Sequence, residues 1–191
     1  MKSLRLLLCA LPLALTGCST MSAVNWSAAY PWNWFGSSME VTEQGVGGLT
    51  AATPLNEQAI GDAIGGSYRL RSGMKTASGN IVRYYEALKG DNVAMTINGD
   101  AGTVSRVEVR DSEIKTASGV QVGTPFSDLY SKAYGNCQKG ANDNGPVVEC
   151  KAEGSQHISY AFTGHWSGPE ELMPSDDTLK NWKVSKIIWQ R

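Results

Sequence analysis

From Val41 onward, apolar and polar positions alternate in short blocks separated by glycine-rich turns. Alternation of period two places side chains on opposite faces of an extended chain, so it predicts strands over 68–74, 81–88, 93–100, 103–109, 147–152, 158–165 and 183–189. Two stretches carry helical spacing instead. In the first, Leu55, Ala59, Ile60, Ala63 and Ile64 fall on one face, with Thr53 as N-cap, Pro54 at the first helical position and Gly65 beyond the end. In the second, Phe126, Leu129, Tyr130, Ala133 and Tyr134 form the face, from Thr124 and Pro125 to Gly135. On the last strand, alternation puts Lys183, Ser185, Ile187 and Trp189 on one face, and Val184, Lys186, Ile188 and Gln190 on the other.

The same blocks recur in order. Val41-Thr-Glu-Gln-Gly-Val46 before Thr53-Pro54 is answered by Ile114-Lys-Thr-Ala-Ser-Gly-Val120 before Thr124-Pro125, 93–100 by 158–165, and 103–109 by 183–189. The pattern predicts two diverged strand-helix-strands repeats, about 41–110 and 112–191, with an insertion over 166–181 in the second. Short apolar strands need a second layer to be stable. The expected fold is therefore mainly β to α+β, an antiparallel sandwich-like single domain over 41–191 with two short helices.

Upstream, the pattern changes. Lys2 and Arg5 precede an apolar run from Leu6 to Leu15 that is too short to span a bilayer. Basic start, apolar run and small residues make a secretory signal over 1–17. Leu15-Thr-Gly-Cys18 has the form of a bacterial lipobox, whose cysteine thiol is the nucleophile that takes a diacylglyceryl group. Cys18 is the expected lipidation site, held to the membrane by acyl chains without spanning it. Ser19 rather than an aspartate retention signal follows it, and resemblance to enterobacterial lipoproteins then implies sorting to the outer membrane, facing the periplasm. Residues 18–40 then read as a tether rich in aromatics, where Trp26, Trp32 and Trp34 either lie in the headgroup interface or pack onto the domain.

Composition adds exclusions. Of 191 residues, 17 are Lys or Arg and 18 are Asp or Glu, so no excess of positive charge invites nucleic acid. An apolar fraction of 41% is enough for a folded core, and the 21 glycines agree with a turn-rich β-protein. Of the four cysteines, Cys9 leaves with the signal and Cys18 takes lipid, leaving Cys137 and Cys150. In an oxidising compartment that pair reads as a disulfide. The alternative, a metal or redox pair, lacks C-x-x-C spacing and a histidine in the loop.

Candidate chemistry is sparse, and no cofactor or metal is expected. His157 sits at a strand start facing solvent, and His165 heads Gly164-His-Trp-Ser-Gly-Pro169, where Ser167 is one position too late for a hydrolase elbow. Asp176 and Asp177 read either as paired carboxylates or as a turn capped by Ser175 or Asp176. Trp182, Trp189, Lys180, Lys183, Lys186 and Arg191 make a basic, aromatic C-terminus, read as a lysine-protected edge strand or as a rim for lipid or a partner.

Leu15-Thr-Gly-Cys-Ser-Thr-Met21, Pro31-Trp-Asn-Trp-Phe-Gly36, Tyr68-Arg-Leu-Arg-Ser-Gly-Met-Lys75, 123–137 and 173–184 together resemble the enterobacterial RpoE-regulated lipoprotein family over essentially the whole chain. The resemblance implies a lipidated Cys18, a mainly-β domain and membership of the sigma-E envelope-stress regulon, and it implies no biochemical activity. The expectation is a non-enzymatic, outer-membrane-anchored lipoprotein that binds an envelope protein or lipid, or plays a structural role. The alternative is a peptidoglycan- or polysaccharide-directed enzyme using acidic residues such as Asp176 or Asp177.

Overall fold

In the computed structural model, the described residues are 39–77, 79–140, 146–169 and 171–191. The signal, Cys18, Trp26, Trp32 and Trp34 lie outside them. The chain is mainly β, in two sheets. Glu40–Thr42 (β1), Gly45–Val46 (β2), Leu49–Thr50 (β3) and Lys115–Thr116 (β8) form a small sheet in the order β3-β2-β1-β8. The large sheet is antiparallel throughout. It holds Arg69–Ala77 (β4), Asn80–Lys89 (β5), Asn92–Asp100 (β6), Thr103–Val109 (β7), Cys137–Gly140 (β9), Val147–Lys151 (β10), Ile158–Thr163 (β11) and Lys183–Gln190 (β12). Its order, β4-β5-β6-β7-β12-β11-β10-β9, joins two four-strand meanders at their last strands.

One face of the large sheet carries Tyr85, Ile97, Val107, Tyr160, Phe162, Ile187 and Trp189, all buried, and the small sheet covers it with Val41, Val46 and Leu49. The indole N–H of Trp189 donates to the Glu43 carbonyl at 3.1 Å, tying β12 to the β1–β2 turn. The domain begins slightly earlier than the pattern predicts: Met39 packs against the core, and Glu40 already pairs with Lys115.

Both helices start later or end sooner than the spacing predicts. Glu57–Ile64 (α1) is capped by Asn56, whose side chain accepts from Ala59 N at 2.9 Å. Thr53 instead takes the N–H of Thr50 at 3.0 Å, and Pro54 bridges to Thr103. Phe126–Leu129 (α2) is a single turn. Tyr130 leaves the helical region because its ring belongs in a core cluster with Phe126 and Phe162, while its hydroxyl donates to the Lys151 carbonyl at 2.6 Å. The helix therefore never reaches Tyr134, which is 86% exposed.

The two Thr-Pro segments do the same work in the two halves. Leu55 N donates to Gly102 O and Val104 N to Thr53 O, each at 2.9 Å; Phe126 N donates to Trp182 O at 2.8 Å and Val184 N to Thr124 O at 2.9 Å. Each threonine hydroxyl also accepts a backbone N–H three residues upstream, from Thr50 and from Gln121. Thr-Pro thus pins the chain to the start of the last strand of its half; in the second half it also opens α2, whose N-cap is Pro125, whereas in the first α1 begins only after Asn56. Gly48 serves the β2–β3 turn: its N–H donates to Ala63 O in the last turn of α1, and a Cβ there would lie 2.5 Å from that oxygen.

The last strand departs from simple alternation. Phe162 pairs with Val184 and Ala161 with Lys186, so Ser185 is an extra residue, a β-bulge closed by its hydroxyl donating to Ala161 O at 3.0 Å. The bulge puts Val184 in the core with Ile187 and Trp189, and sends Lys186, Ile188 and Gln190 to the other face. β12 is a central strand between β7 and β11, and Trp182 and Trp189 are each 2% exposed, so the C-terminus is neither an edge nor an aromatic rim.

A polar cleft as candidate functional site

The face of the large sheet away from the core carries the polar half of each alternating strand. Its centre is an ion-pair network. The Glu108 carboxylate meets Lys186 Nζ at 2.8 Å, Arg110 at 3.1 Å and Arg106 Nε at 3.2 Å. Burial pushes the Glu108 carboxyl up, but the hydrogen bond and charge of Lys186, with Arg106, hold it net below the ordinary value of 4.5. A carboxyl depressed on folding adds stability above its unfolded value and loses it as pH falls through its folded one. Glu108→Gln should cost about 1–2 kcal/mol at neutral pH, because it leaves Lys186 and Arg106 half-buried without that charge. Urea titrations of variant and wild type should converge as the pH drops below 4.5.

Arg106 links this network to a cleft at the ends of β9 to β12. The cleft has a volume of about 490 Å³, of the order of a small-ligand site. β10 supplies Glu149, the start of β11 supplies His157 and Ser159, and β12 supplies Gln190. Ser159 Oγ donates to Glu149 Oε1 at 2.7 Å, Arg106 Nη2 stands 3.6 Å from Glu149 Oε2, and Arg106 Nη1 donates to Gln190 Oε1 at 2.7 Å. His157 Nδ1 lies 2.9 Å from the Gln190 carbonyl. A carbonyl only accepts, so that nitrogen carries a proton. Beside these groups Val147, Ala161 and Ile188 form a small apolar cluster of their own.

Ser159 and His157 sit two residues apart, yet the serine gives its proton to Glu149 and the imidazole is engaged with backbone. A carboxylate and an amide held by Arg106, with an imidazole beside them, suit recognition of hydroxyls and amides. A second groove, of about 400 Å³, runs past Glu43, Ser118, Ser155 and Tyr160. There the Ser155 hydrogen bond holds the Glu43 carboxyl below its ordinary value, against a smaller burial effect, with help from Gln156 N–H.

Cys137 and Cys150 face each other across β9 and β10 and form a disulfide, with Cα atoms 3.9 Å apart. His157 is half-buried rather than open to solvent, and His165 is exposed on a loop. Gly164, ahead of it, answers to packing: a Cβ there would lie 2.3 Å from the Trp182 indole. Ser175 caps Asp176–Leu179 (α3), Asp176 Oδ1 accepts Ala133 N–H at 2.8 Å, and Asp177 pairs with Lys180 at 3.0 Å. These two carboxylates hold a turn and a loop. Among the described residues no cluster of three or more His, Cys, Asp or Glu has metal-site geometry.

Sequence reading missed Glu149, Ser159, Arg106 and Gln190. Alternation assigns each to a polar face, but Arg106 and Gln190 are 84 positions apart and meet only because β7 and β12 pair.

Residues 23–191 match the model of a family described as "Protein of unknown function (DUF1131)". The chain is 75% identical over 191 residues, all of both chains, to an Escherichia coli (strain K12) protein described as "Uncharacterized protein YfeY". It also resembles a solved structure, "Crystal structure of the uncharacterized protein yfeY from Escherichia coli", at 72% identity and a TM-score of 0.73, over 80% of this chain and 99% of that one.

Proposed function

This chain belongs to the DUF1131 family, and on that premise we propose that it is a non-enzymatic lipoprotein of the RpoE envelope-stress response, anchored through Cys18 to the periplasmic face of the outer membrane, whose domain binds an envelope ligand in the polar cleft. The observation that carries the binding reading is the cleft itself, where Ser159 holds Glu149, and Arg106, which does not line the cleft, fixes the lining side chains of Glu149 and Gln190. Such preorganisation favours recognition, since little ordering remains to be done when a ligand arrives. The lipobox supports the anchor, and a cross-strand disulfide fits an oxidising periplasm.

Two measurements test the reading. Intact-mass analysis of the outer-membrane fraction should find Cys18 as an acylated first residue, and Cys18→Ala should leave that fraction. In-cell photocrosslinking from Gln156, at the cleft wall, should give a specific neighbour whose yield falls about tenfold in Glu149→Gln, the scale of losing a hydrogen bond to a charged group. Robust turnover of an envelope substrate by the purified protein would overturn the non-enzymatic reading.

A further inference from the structure

The β4–β5 hairpin outruns its cover. On the core-side face, Tyr85 and Ala87 are buried, and Leu70 packs against the core. Further out on that face come Ser72, Met74 and Thr76 on β4, then Arg83 and Ile81 on β5, and every one of them is exposed. Met74 is 73% and Ile81 76% exposed. Met74 pairs with Arg83 and Thr76 with Ile81, which makes Met74 and Ile81 diagonal neighbours on one surface. Single exposed apolar side chains are ordinary; two together near the end of a projecting hairpin form a small apolar tip.

Charge singles out the same segment. From Tyr68 to Tyr85 the chain carries Arg69, Arg71, Lys75 and Arg83 and no Asp or Glu, within a chain whose net charge is −1. Arg71 is paired with Glu86. Lys75 donates to the neutral Asn98 side chain at 2.6 Å and stands 5.7 Å from the centre of the Tyr84 ring, so its charge is not neutralised there. Among the described residues Arg69, Lys75 and Arg83 have no carboxylate in ion-pair range.

We propose that this hairpin is a lipid-contact element, in which Met74 and Ile81 enter the headgroup boundary of an anionic bilayer while Lys75 and Arg83 meet lipid phosphates. Arg83 shares the face of Met74 and Ile81, and Lys75 flanks Met74 from the opposite face, so the apolar tip has uncompensated cations on both sides of the hairpin, matching a surface that is anionic outside and apolar beneath. Addition of a partner strand fits less well: β4 is the sheet's edge, and Arg69, Arg71 and Lys75 along it are the charges that discourage edge pairing. This contact is independent of acylation at Cys18 and of the cleft.

The test uses the unlipidated unit Ser37–Arg191, which forms a compact body of its own. It should cosediment with vesicles of equimolar phosphatidylethanolamine and phosphatidylglycerol, but not with pure phosphatidylcholine. Lys75→Gln and Arg83→Gln should each weaken partitioning about fivefold, the usual weight of one cation near an anionic surface. Met74→Ser combined with Ile81→Ser should weaken it at least tenfold, with thermal melting unchanged because both sites are exposed. Protein that stays in the supernatant, binds neutral vesicles equally well, or binds undiminished without the two apolar side chains would overturn the proposal.

Discussion

Trp189→Ala should lower stability by about 3–5 kcal/mol, the range for truncating a buried aromatic. The residue is 2% exposed near the end of the interior strand β12, opposite Ile158 on β11 and Val107 on β7. Two losses add. The cavity opens where the small sheet meets the large one, and neither strand neighbour can collapse into it without leaving its ladder. The Glu43 carbonyl also loses the indole N–H that now bonds it. Trp189→Phe separates the two, since it keeps a ring but not the donor, and should cost about 1–2 kcal/mol. For a domain of this size each kcal/mol shifts the melting temperature by about 2–4 °C. The alanine variant should therefore melt roughly 6–20 °C below wild type, measured by far-UV circular dichroism, with the phenylalanine variant between. An alanine variant within a degree or two of wild type would mean that β12 does not anchor the core.

Strands were legible in the sequence because half-buried antiparallel strands write their burial as alternation. The predicted span 103–109 coincides with β7, and 81–88 and 93–100 fall within a residue or so of β5 and β6. Helices were less legible. Thr-Pro followed by a 3.6-residue apolar face satisfies the local rules for a helix start, and it does open the single turn of α2, but the Thr53 carbonyl is taken by Val104 and α1 begins only after Asn56, a tertiary demand that no local rule contains. The bulge at Ser185 was hidden for a related reason. A single inserted residue changes which face Val184 occupies, and the insertion is defined only against Ala161 on the neighbouring strand. The disulfide was legible by elimination among four cysteines. The cleft was not, because its carboxylate, hydroxyl and amide, and the Arg106 guanidinium that holds two of them, come from separate strands, and strand order decides whether they meet.

Breaking the Cys137–Cys150 bond should be the second large perturbation, at about 3 kcal/mol for Cys137→Ala with Cys150→Ala. The bond joins residues 13 apart, and constraining a loop of that length removes roughly this much free energy from the unfolded chain in the chain-entropy account. It also acts locally. β9 is the outermost strand of the large sheet, paired only with β10 through four residues, and the disulfide cross-links the end of that pair away from the chain connection between them. Without it, Cys137–Gly140 should fray ahead of global unfolding, as short edge strands do when the closing constraint is lost. Gly135, Asn136, Cys137 and Gln138 form one wall of the cleft, so the effect reaches the candidate binding site. Hydrogen exchange should show faster exchange of the β9 and β10 amides in the double-alanine variant, with β6 and β7 affected only through the global loss. Crosslinking from Gln156 should fall in parallel, although Glu149, Ser159 and Arg106 are all intact. Exchange that rises uniformly across both meanders would instead assign the disulfide a purely global role and leave the cleft wall to its own hydrogen bonds.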